Sequence, residues 1–400
     1  MPDELGGPID GHCDPAFAGV REAFAANFAR GDEVGAAVAV YVAGRPVVDL
    51  WGGVADHKTG RPWLADTPVL TFSCTKAVTA AAALRLAERG AVDLAAPVRT
   101  WWPEFAAAGK ADATGEHLLS HQAGLPAFDD PLTAADARDP AALADRLAAQ
   151  APLWAPGSDH GYHALTYGWL AGELVRRHAG RTVGAYVADE IAGDLELHLA
   201  ADDALIAKTA RLTAKRLTGP ASGGGGGAAK PGTPRLKGPA AEMMAAAADP
   251  ASLMNRAEGN PAPGPGGYNN PELLRGGWPA AGLIATARGL AGFYRELLAG
   301  RILAPETLRD AVRPRVSGPD RVLKVDSTFG LGFMRPSSVF AIPPAGRDSA
   351  FGHTGASGAI GVGDLGSGMA MAYVTNRVGD EVSGGMRAVH LVNAVYRALG

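Results

Sequence analysis

The chain has apolar, β-rich segments near both of its ends and a mostly helical middle, and this distribution limits how it can fold. Residues 36–42 and 46–51 are β-rich runs separated by a Gly-containing turn, a pattern that predicts a hairpin. After Phe329, short apolar runs split by glycines predict more strands. Residues 165–178 carry apolar side chains at helical spacing. The economical arrangement is an α+β fold: an antiparallel β-sheet built from both ends, flanked by helices, with an inserted all-α domain.

A length of 400 residues predicts more than one domain. We expect residues 1–95 to form the first part of an α/β domain, residues 96–275 a mainly α-helical domain, and residues 276–400 the second part of the α/β domain. Five consecutive glycines within residues 222–229 predict a linker or exposed loop. Residues 260–270 predict a second long loop, which we expect to be mobile and to border the site. Pockets commonly form where domains meet, so we expect the site there.

A serine and a lysine stand three residues apart in Thr71-Phe72-Ser73-Cys74-Thr75-Lys76. The Ala-rich run that follows predicts a helix beginning at this point. Residues at this spacing share a helix face, so the Ser73 hydroxyl and the Lys76 amine can meet. A helix N-terminus also favours negative charge, which suits a nucleophile whose attack generates an oxyanion. Taken alone, the same residues can equally be a helix-capping serine and a solvated lysine.

A serine nucleophile needs a base and an oxyanion hole, and other segments can supply them. A lysine serves as the base only when a hydrogen-bonding network, burial or neighbouring cations adjust its protonation. Tyr162 follows a Pro-Gly turn and precedes a helix, and it can share proton transfer with Lys76. Residues 351–358 are Gly-rich and precede a predicted strand. Because glycine allows close backbone approach, this segment can run beside a bound substrate.

These motifs together resemble the serine β-lactamase-like superfamily, in particular the class C β-lactamases and family VIII carboxylesterases. Ser73-Cys74-Thr75-Lys76 matches the Ser-x-x-Lys motif, Tyr162-His163-Ala164 stands where the family has Tyr-x-Asn or its esterase variants, and His353-Thr354-Gly355 stands where β-lactamases have Lys-Thr-Gly. Three supporting stretches follow the family order: residues 118–126, 281–290 and 329–333. The resemblance spans about residues 15–398, without the Gly-rich loop near residue 225.

The resemblance implies a catalytic function for three side chains. Ser73 would be the acylated nucleophile. Lys76 would hold the proton network and take or relay the Ser73 proton. Tyr162 would be the general base in acylation and would activate water in deacylation. All three are needed for acyl-enzyme chemistry, so the set disfavours a protein that only binds its ligand.

The resemblance also implies a substrate-binding edge after residue 350. The backbone N–H groups of Ser73 and Ala356 would form the oxyanion hole. His353 would replace the cationic lysine of Lys-Thr-Gly, and Thr354 would line the same strand edge together with Gly355.

Two departures from the β-lactamase pattern concern the substrate. Ala164 stands where many β-lactamases carry the asparagine that donates to the side-chain amide of a β-lactam, and alanine cannot make that bond. His353 is neutral for much of the time near neutral pH, so recognition of a β-lactam carboxylate should be weaker. Both changes favour neutral esters. We therefore expect a serine carboxylesterase for short-chain esters; the alternatives are a β-lactamase or D-amino peptidase, an acyltransferase of the same fold, or a non-enzymatic binding protein.

Composition and spacing exclude several other classes. A net charge of −4 without a basic cluster argues against nucleic acid as a partner. No stretch approaches the length of a membrane span, no secretory signal is visible, and we expect a cytoplasmic location. His160 and His163 lack ligand-spaced partners for zinc, and the Gly361–Gly366 motif precedes a strand-like run, which disfavours dinucleotide binding. We expect a small-molecule ester, amide or lactam substrate and no metal or cofactor; the oligomeric state is not readable from the sequence.

Overall fold

The computed structural model describes residues 9–214, 238–379 and 385–400. The Gly-rich stretch at 222–229 lies outside the described residues. The strands are β1 (Asp10–Cys13), β2 (Gly35–Val42), β3 (Arg45–Asp56), β4 (Arg61–Pro62), β5 (Val69–Leu70), β6 (Leu197–Leu199), β7 (Thr213–Ala214), β8 (Leu283–Ala285), β9 (Val316–Pro319), β10 (Asp326–Phe329), β11 (Ala350–Thr354), β12 (Ile360–Asp364), β13 (Met369–Thr375) and β14 (Arg377–Val378). The helices are α1 (Ala18–Ala29), α2 (Thr75–Glu88), α3 (Gly115–Leu119), α4 (Pro140–Ala149), α5 (Thr166–Ala179), α6 (Val183–Val187), α7 (Asp203–Lys208), α8 (Pro239–Ala248), α9 (Leu253–Gly259), α10 (Pro271–Gly276), α11 (Ala287–Leu298), α12 (Pro305–Ala311) and α13 (Met386–Leu399).

The main sheet joins the two ends of the chain. Its strand order is β1-β3-β2-β13-β12-β11, every neighbouring pair is antiparallel, and β4 extends β3. The central pair is β2 with β13, in which Val38 lies opposite Tyr373. The predicted antiparallel sheet built from both ends is therefore confirmed, and the predicted hairpin is the β2–β3 pair.

Alternating side chains give the two faces of the sheet different partners. On β2, Val38 and Val40 belong to the core that contains side chains of α1 and α13. Ala37 and Ala39 point to the opposite face, where α11 contacts β2, β12 and β13. Because successive side chains of a strand face opposite ways, the valines of β2 lie on one face of the sheet and the alanines on the other. The small alanines let the helix layer approach the sheet closely.

Helix α2 is the buried centre of the helical layer. Eleven of its fourteen residues are buried, among them the consecutive alanines 80–83. Alanine is the strongest helix former and has no side-chain rotamers to fix, so this run is helical and packs at short distance. The helix contacts α5 and α6 from the middle of the chain and β11 from the sheet. Its first turn therefore lies where the sheet meets the helices.

A small three-stranded sheet connects the parts of the chain that the sequence assigned to different domains. Strand β8 pairs with β5 on one side and with β6 on the other, antiparallel in both cases. Strand β6 lies within residues 96–275, which otherwise contribute mainly helices. The domain limits at residues 95 and 275 stay a prediction. No helix within the described ranges is both long and apolar enough to cross a membrane.

Asn376 provides a test of how the sheet is held together. Its buried amide accepts from the N–H of Gly35 at 3.0 Å and donates to the carbonyls of Val54 at 3.0 Å and Ala55 at 3.2 Å. Asn376→Ala leaves these backbone groups unpaired, so we expect a loss of at least about 2 kcal/mol in the free energy of unfolding. Urea denaturation followed by circular dichroism measures it. The control Asp112→Ala removes a side chain that is 94% exposed and should cost less than about 0.5 kcal/mol. Equal losses in both variants would contradict this account.

Candidate active site

A strained turn presents Ser73 just before helix α2. Phe72 has φ of 51°, in the left-handed region that bulky side chains rarely adopt. The hydroxyl of Thr75 donates to the Phe72 carbonyl at 2.5 Å and accepts from the N–H of Leu283 at 2.9 Å, which ties the turn to β8. Ser73 is partly exposed, whereas its neighbours Phe72 and Cys74 are buried. The local fold therefore leaves the Ser73 hydroxyl accessible on a turn that hydrogen bonds hold in place.

Lys76 is fully buried and has three hydrogen-bonding partners. Its Nζ atom lies 3.0 Å from Ser73 Oγ, 2.7 Å from the carbonyl oxygen of Ala164 and 3.1 Å from that of Ala280. Burial lowers the pKa of Lys76 well below its ordinary value. A neutral amine has two N–H donors and one lone pair, and two of its partners here are carbonyls that can only accept. The third partner is Ser73, whose O–H can donate to the lone pair.

Tyr162 lies against both members of the pair. The Lys76 Nζ atom is 4.7 Å from the centre of the Tyr162 ring. Burial raises the pKa of the Tyr162 phenol well above its ordinary value, and a hydrogen bond with Ser73 opposes this rise. The Tyr162 N–H donates to Asp320 at 3.0 Å, and this buried carboxylate also accepts from the N–H of Val322 at 2.8 Å. Asp320 therefore fixes the backbone that carries the phenol.

The Gly-rich segment after β11 runs directly beside the serine turn. A Cβ atom on Gly355 would lie 2.3 Å from the carbonyl oxygen of Thr71, so only glycine allows this approach. The thiol of Cys74 donates to the His353 carbonyl at 3.4 Å on the same edge. Within the described ranges, the backbone N–H groups of Ser73 and Ala356 donate to no protein atom. They are the donors that the resemblance assigns to the oxyanion hole.

His353 lies outside the lining of the cavity at Ser73. It is fully buried, and it is absent from the described residues that line the cavity at Ser73, whereas Thr354 and Gly355 line it. One ring nitrogen of His353 bonds the Thr354 carbonyl at 2.7 Å, and burial lowers the pKa of the imidazole to about 3. That His353 takes the position of the lysine of Lys-Thr-Gly stays a prediction, and burial disfavours a positive charge on its imidazole. The centre of its ring lies 6.1 Å from that of the Tyr162 ring.

The cavity at Ser73 is small and mostly apolar. Its volume is about 160 Å³, and it is lined by Phe72, Ser73, Tyr162, Ala164, Leu165, Glu258, Tyr268, Ala281, Leu323, Met334, Thr354, Gly355 and Ala356. Tyr268 comes from residues 260–270, the segment expected to border the site. A larger cavity of about 420 Å³ lies between α5, α6 and α10. It contains none of the residues of the serine site, so the smaller cavity is the candidate for catalysis.

Two acidic residues and two backbone acceptors of this site carry no signal in the sequence. Glu258 and Asp320 each stand alone among residues that give no motif, so no local pattern distinguishes them from solvated carboxylates. The carbonyls of Ala164 and Ala280 bind Lys76 through backbone atoms, which residue identity does not reveal. Residues 281–290 resemble a family segment, but only the tertiary structure places the preceding residue, Ala280, beside Lys76.

The histidines near Tyr162 are structural. The Nε2 atom of His163 accepts from the N–H of Leu125 at 3.0 Å, and its Nδ1 atom bonds the Gly161 carbonyl at 2.7 Å. Both ring nitrogens are thereby used, and burial lowers the pKa of His163 to about 3. The described parts of the chain contain no group of three or more metal-ligating side chains.

Comparison with known proteins agrees with the motifs. The family model described as Beta-lactamase matches residues 20–395. The chain is 35% identical over 400 residues to the esterase/beta-lactamase LipL of Mycobacterium tuberculosis, covering 94% of this chain and 84% of that protein. A penicillin-binding protein homologue from Caulobacter crescentus superposes with a TM-score of 0.82 at 36% identity, covering 98% of this chain and 100% of that one. A family VIII carboxylesterase superposes with a TM-score of 0.81 at 32% identity, with coverage of 98% and 100%.

Gly355 tests the close approach on which the site is built. We expect Gly355→Ala to lower the catalytic rate at least about 100-fold, because the new methyl group displaces the segment from the serine turn. The measurement is kcat/KM for a chromogenic ester. The matched control is Gly19→Ala in α1, where an added Cβ meets nothing within 4 Å. If both variants keep full activity, the contact between Gly355 and Thr71 has no bearing on catalysis.

Proposed function

This chain belongs to the beta-lactamase family and is a serine hydrolase of it, and on that basis we propose that it cleaves short-chain carboxylic esters through an acyl-enzyme on Ser73. The assignment of Ser73 as the nucleophile rests on one observation. The hydroxyl of Ser73 lies 3.0 Å from a buried amine whose two other partners are carbonyl oxygens. Similarity to a family VIII carboxylesterase at 32% identity supports placing the chain in that esterase family.

In the proposed acylation step, Lys76 is the base. Its lone pair takes the Ser73 proton as Ser73 Oγ attacks the ester carbonyl carbon, and the N–H groups of Ser73 and Ala356 bind the oxyanion. When the bond to the leaving alkoxide breaks, Tyr162 donates its proton to the alkoxide and recovers one from the Lys76 ammonium. Burial disfavours both the lysine cation and the phenolate, so a protonated Tyr162 beside a neutral Lys76 is the resting state that these pKa directions favour.

In the proposed deacylation step, water replaces the alcohol. The water attacks the acyl carbon while its proton passes through Tyr162 to Lys76, and collapse of the second tetrahedral intermediate returns a proton to Ser73 Oγ. Lys76 and Tyr162 thus carry protons in both directions and finish in their starting states. This division of work differs from the expectation that Tyr162 itself is the general base, because burial holds the phenol in its protonated form.

The residues that line the cavity at Ser73 favour ester substrates over β-lactams. Ala164 has no side-chain amide to meet that of a β-lactam, and His353 is neutral and lies outside the cavity. No lysine or arginine is among the described residues that line the cavity, so a β-lactam carboxylate finds no cation there. A volume of about 160 Å³ is small for a ligand site and suits a short acyl group.

A substrate panel tests the proposed reaction. We expect kcat/KM for p-nitrophenyl acetate or butyrate to exceed that for nitrocefin at least about 100-fold, because the polar groups of the β-lactam are left unpaired. Intact mass after trapping should show one acyl group on the wild-type protein. Ser73→Ala is the control and should lose activity, the trapped acyl group and labelling by a fluorophosphonate. Strong nitrocefin turnover without esterase activity would overturn the proposal.

The pH dependence tests the protonation of Lys76. Only the neutral amine can accept the Ser73 proton, so kcat/KM should rise with pH through the pKa of Lys76 and then level off. Because burial lowers that pKa, the plateau should begin well below the ordinary lysine value of about 10.4. The measurement is pH-stat titration with a non-chromogenic ester, corrected for spontaneous hydrolysis. An activity that still rises near the ordinary lysine pKa would show that Lys76 is not the base.

A further inference from the structure

An acidic side chain stands in the wall of the catalytic cavity without a partner. Glu258 lies near the C-terminal end of α9 and lines the cavity together with Ser73, Tyr162 and Tyr268. Within the described parts of the chain, its carboxylate makes no hydrogen bond and no ion pair. By contrast, the side-chain amide of Asn255 on the same helix donates to three carbonyls at and just after the end of α8. A largely buried carboxylate without a partner is costly to maintain, and such groups concentrate at sites that bind ligands.

The surroundings of Glu258 leave its charge uncompensated. Most of the other walls are apolar, and the charged group that acts on it most strongly is Lys76. The burial that lowers the pKa of Lys76 also disfavours its positive charge. Burial raises the pKa of Glu258, and the field of Lys76 opposes that rise only while Lys76 is protonated. In its ionised form, the Glu258 carboxylate makes the cavity electronegative beside Ser73.

We propose that Glu258 selects substrates by charge: it binds esters that carry a cationic ammonium group close to the scissile bond and repels those that carry a carboxylate there. The inference rests on the proposed esterase function and adds a substrate class to it. The small cavity keeps any group attached to the reacting carbonyl near Glu258. At such separations the interaction between unit charges changes binding by about 10- to 100-fold in a medium of intermediate dielectric.

A simpler function for Glu258 makes a different prediction. If the carboxylate only adjusts the protonation of Lys76, its removal changes the rate for every ester by the same factor and moves the acid limb of the pH profile. Charge selection instead changes the ratio between substrates of different charge. Measuring both the ratio and the pH profile separates the two.

The experiment compares three acetate esters with short alcohol chains: 3,3-dimethylbutyl acetate, 3-acetoxypropanoate and acetylcholine. Their alcohol ends are neutral, anionic and cationic, each charge lies within a few bonds of the ester oxygen, and pH-stat titration follows the hydrolysis of all three. Wild type should show kcat/KM in the order cationic, neutral, anionic, with at least about a 10-fold difference between the extremes. Glu258→Gln should reduce that difference at least about 10-fold, and Glu258→Asp should retain it. Glu258→Ala replaces Glu258→Gln if the latter fails to fold.

The matched control is Glu242→Gln, which removes the same charge from an exposed position on α8. It should leave the ratio unchanged. A wild-type enzyme that cleaves none of the esters would refute the esterase function. Cleavage of all three with the same ratio in wild type and Glu258→Gln would refute charge selection alone. A uniform loss with a shifted acid limb would identify Glu258 as a positioning residue for Lys76 and would also overturn charge selection.

Discussion

The burial of one amine is the condition on which this site depends. Lys76 can accept a proton from Ser73 only if its own charge is suppressed, and suppression requires that water be kept away from Nζ. The Ala-rich helix α2 allows this because its small side chains pack closely against α5 and α6. The carbonyls of Ala164 and Ala280 then satisfy the two N–H groups. Without them, a neutral lysine in the core would leave its donors unpaired.

Three distant segments must meet at the first turn of α2 for this to occur. The serine turn is tied to β8 through Thr75 and Leu283, and Gly355 approaches it from β11 at backbone distance. Tyr162 belongs to the helical middle of the chain, and its backbone N–H donates to Asp320. The sheet that joins the two chain ends therefore matters for the proposed reaction, because it brings β11 beside the turn that carries Ser73, the proposed nucleophile.

The electrostatic character of the cavity follows from the same burial. The two groups that could supply positive charge near the nucleophile, Lys76 and His353, both have pKa values lowered by desolvation. Glu258 is the acidic side chain among the described residues that line the cavity. A site of this kind has no electrostatic attraction for an anionic substrate. The proposed preference for esters thus rests on the lack of a cation in the cavity lining as well as on alanine at position 164.

The sequence by itself determined the local arrangements. The spacing of Ser73 and Lys76 predicts that the two side chains share a helix face, and the β-rich run at residues 36–42 predicted strand β2, because both patterns can be read from residues close together in the chain. The family motifs also singled out Tyr162 and the segment after β11. Only the tertiary structure decided the burial of Lys76, the position of His353 outside the cavity lining and the placement of Glu258 in the cavity wall. These depend on desolvation and on contacts between residues far apart in the chain, which no local pattern encodes.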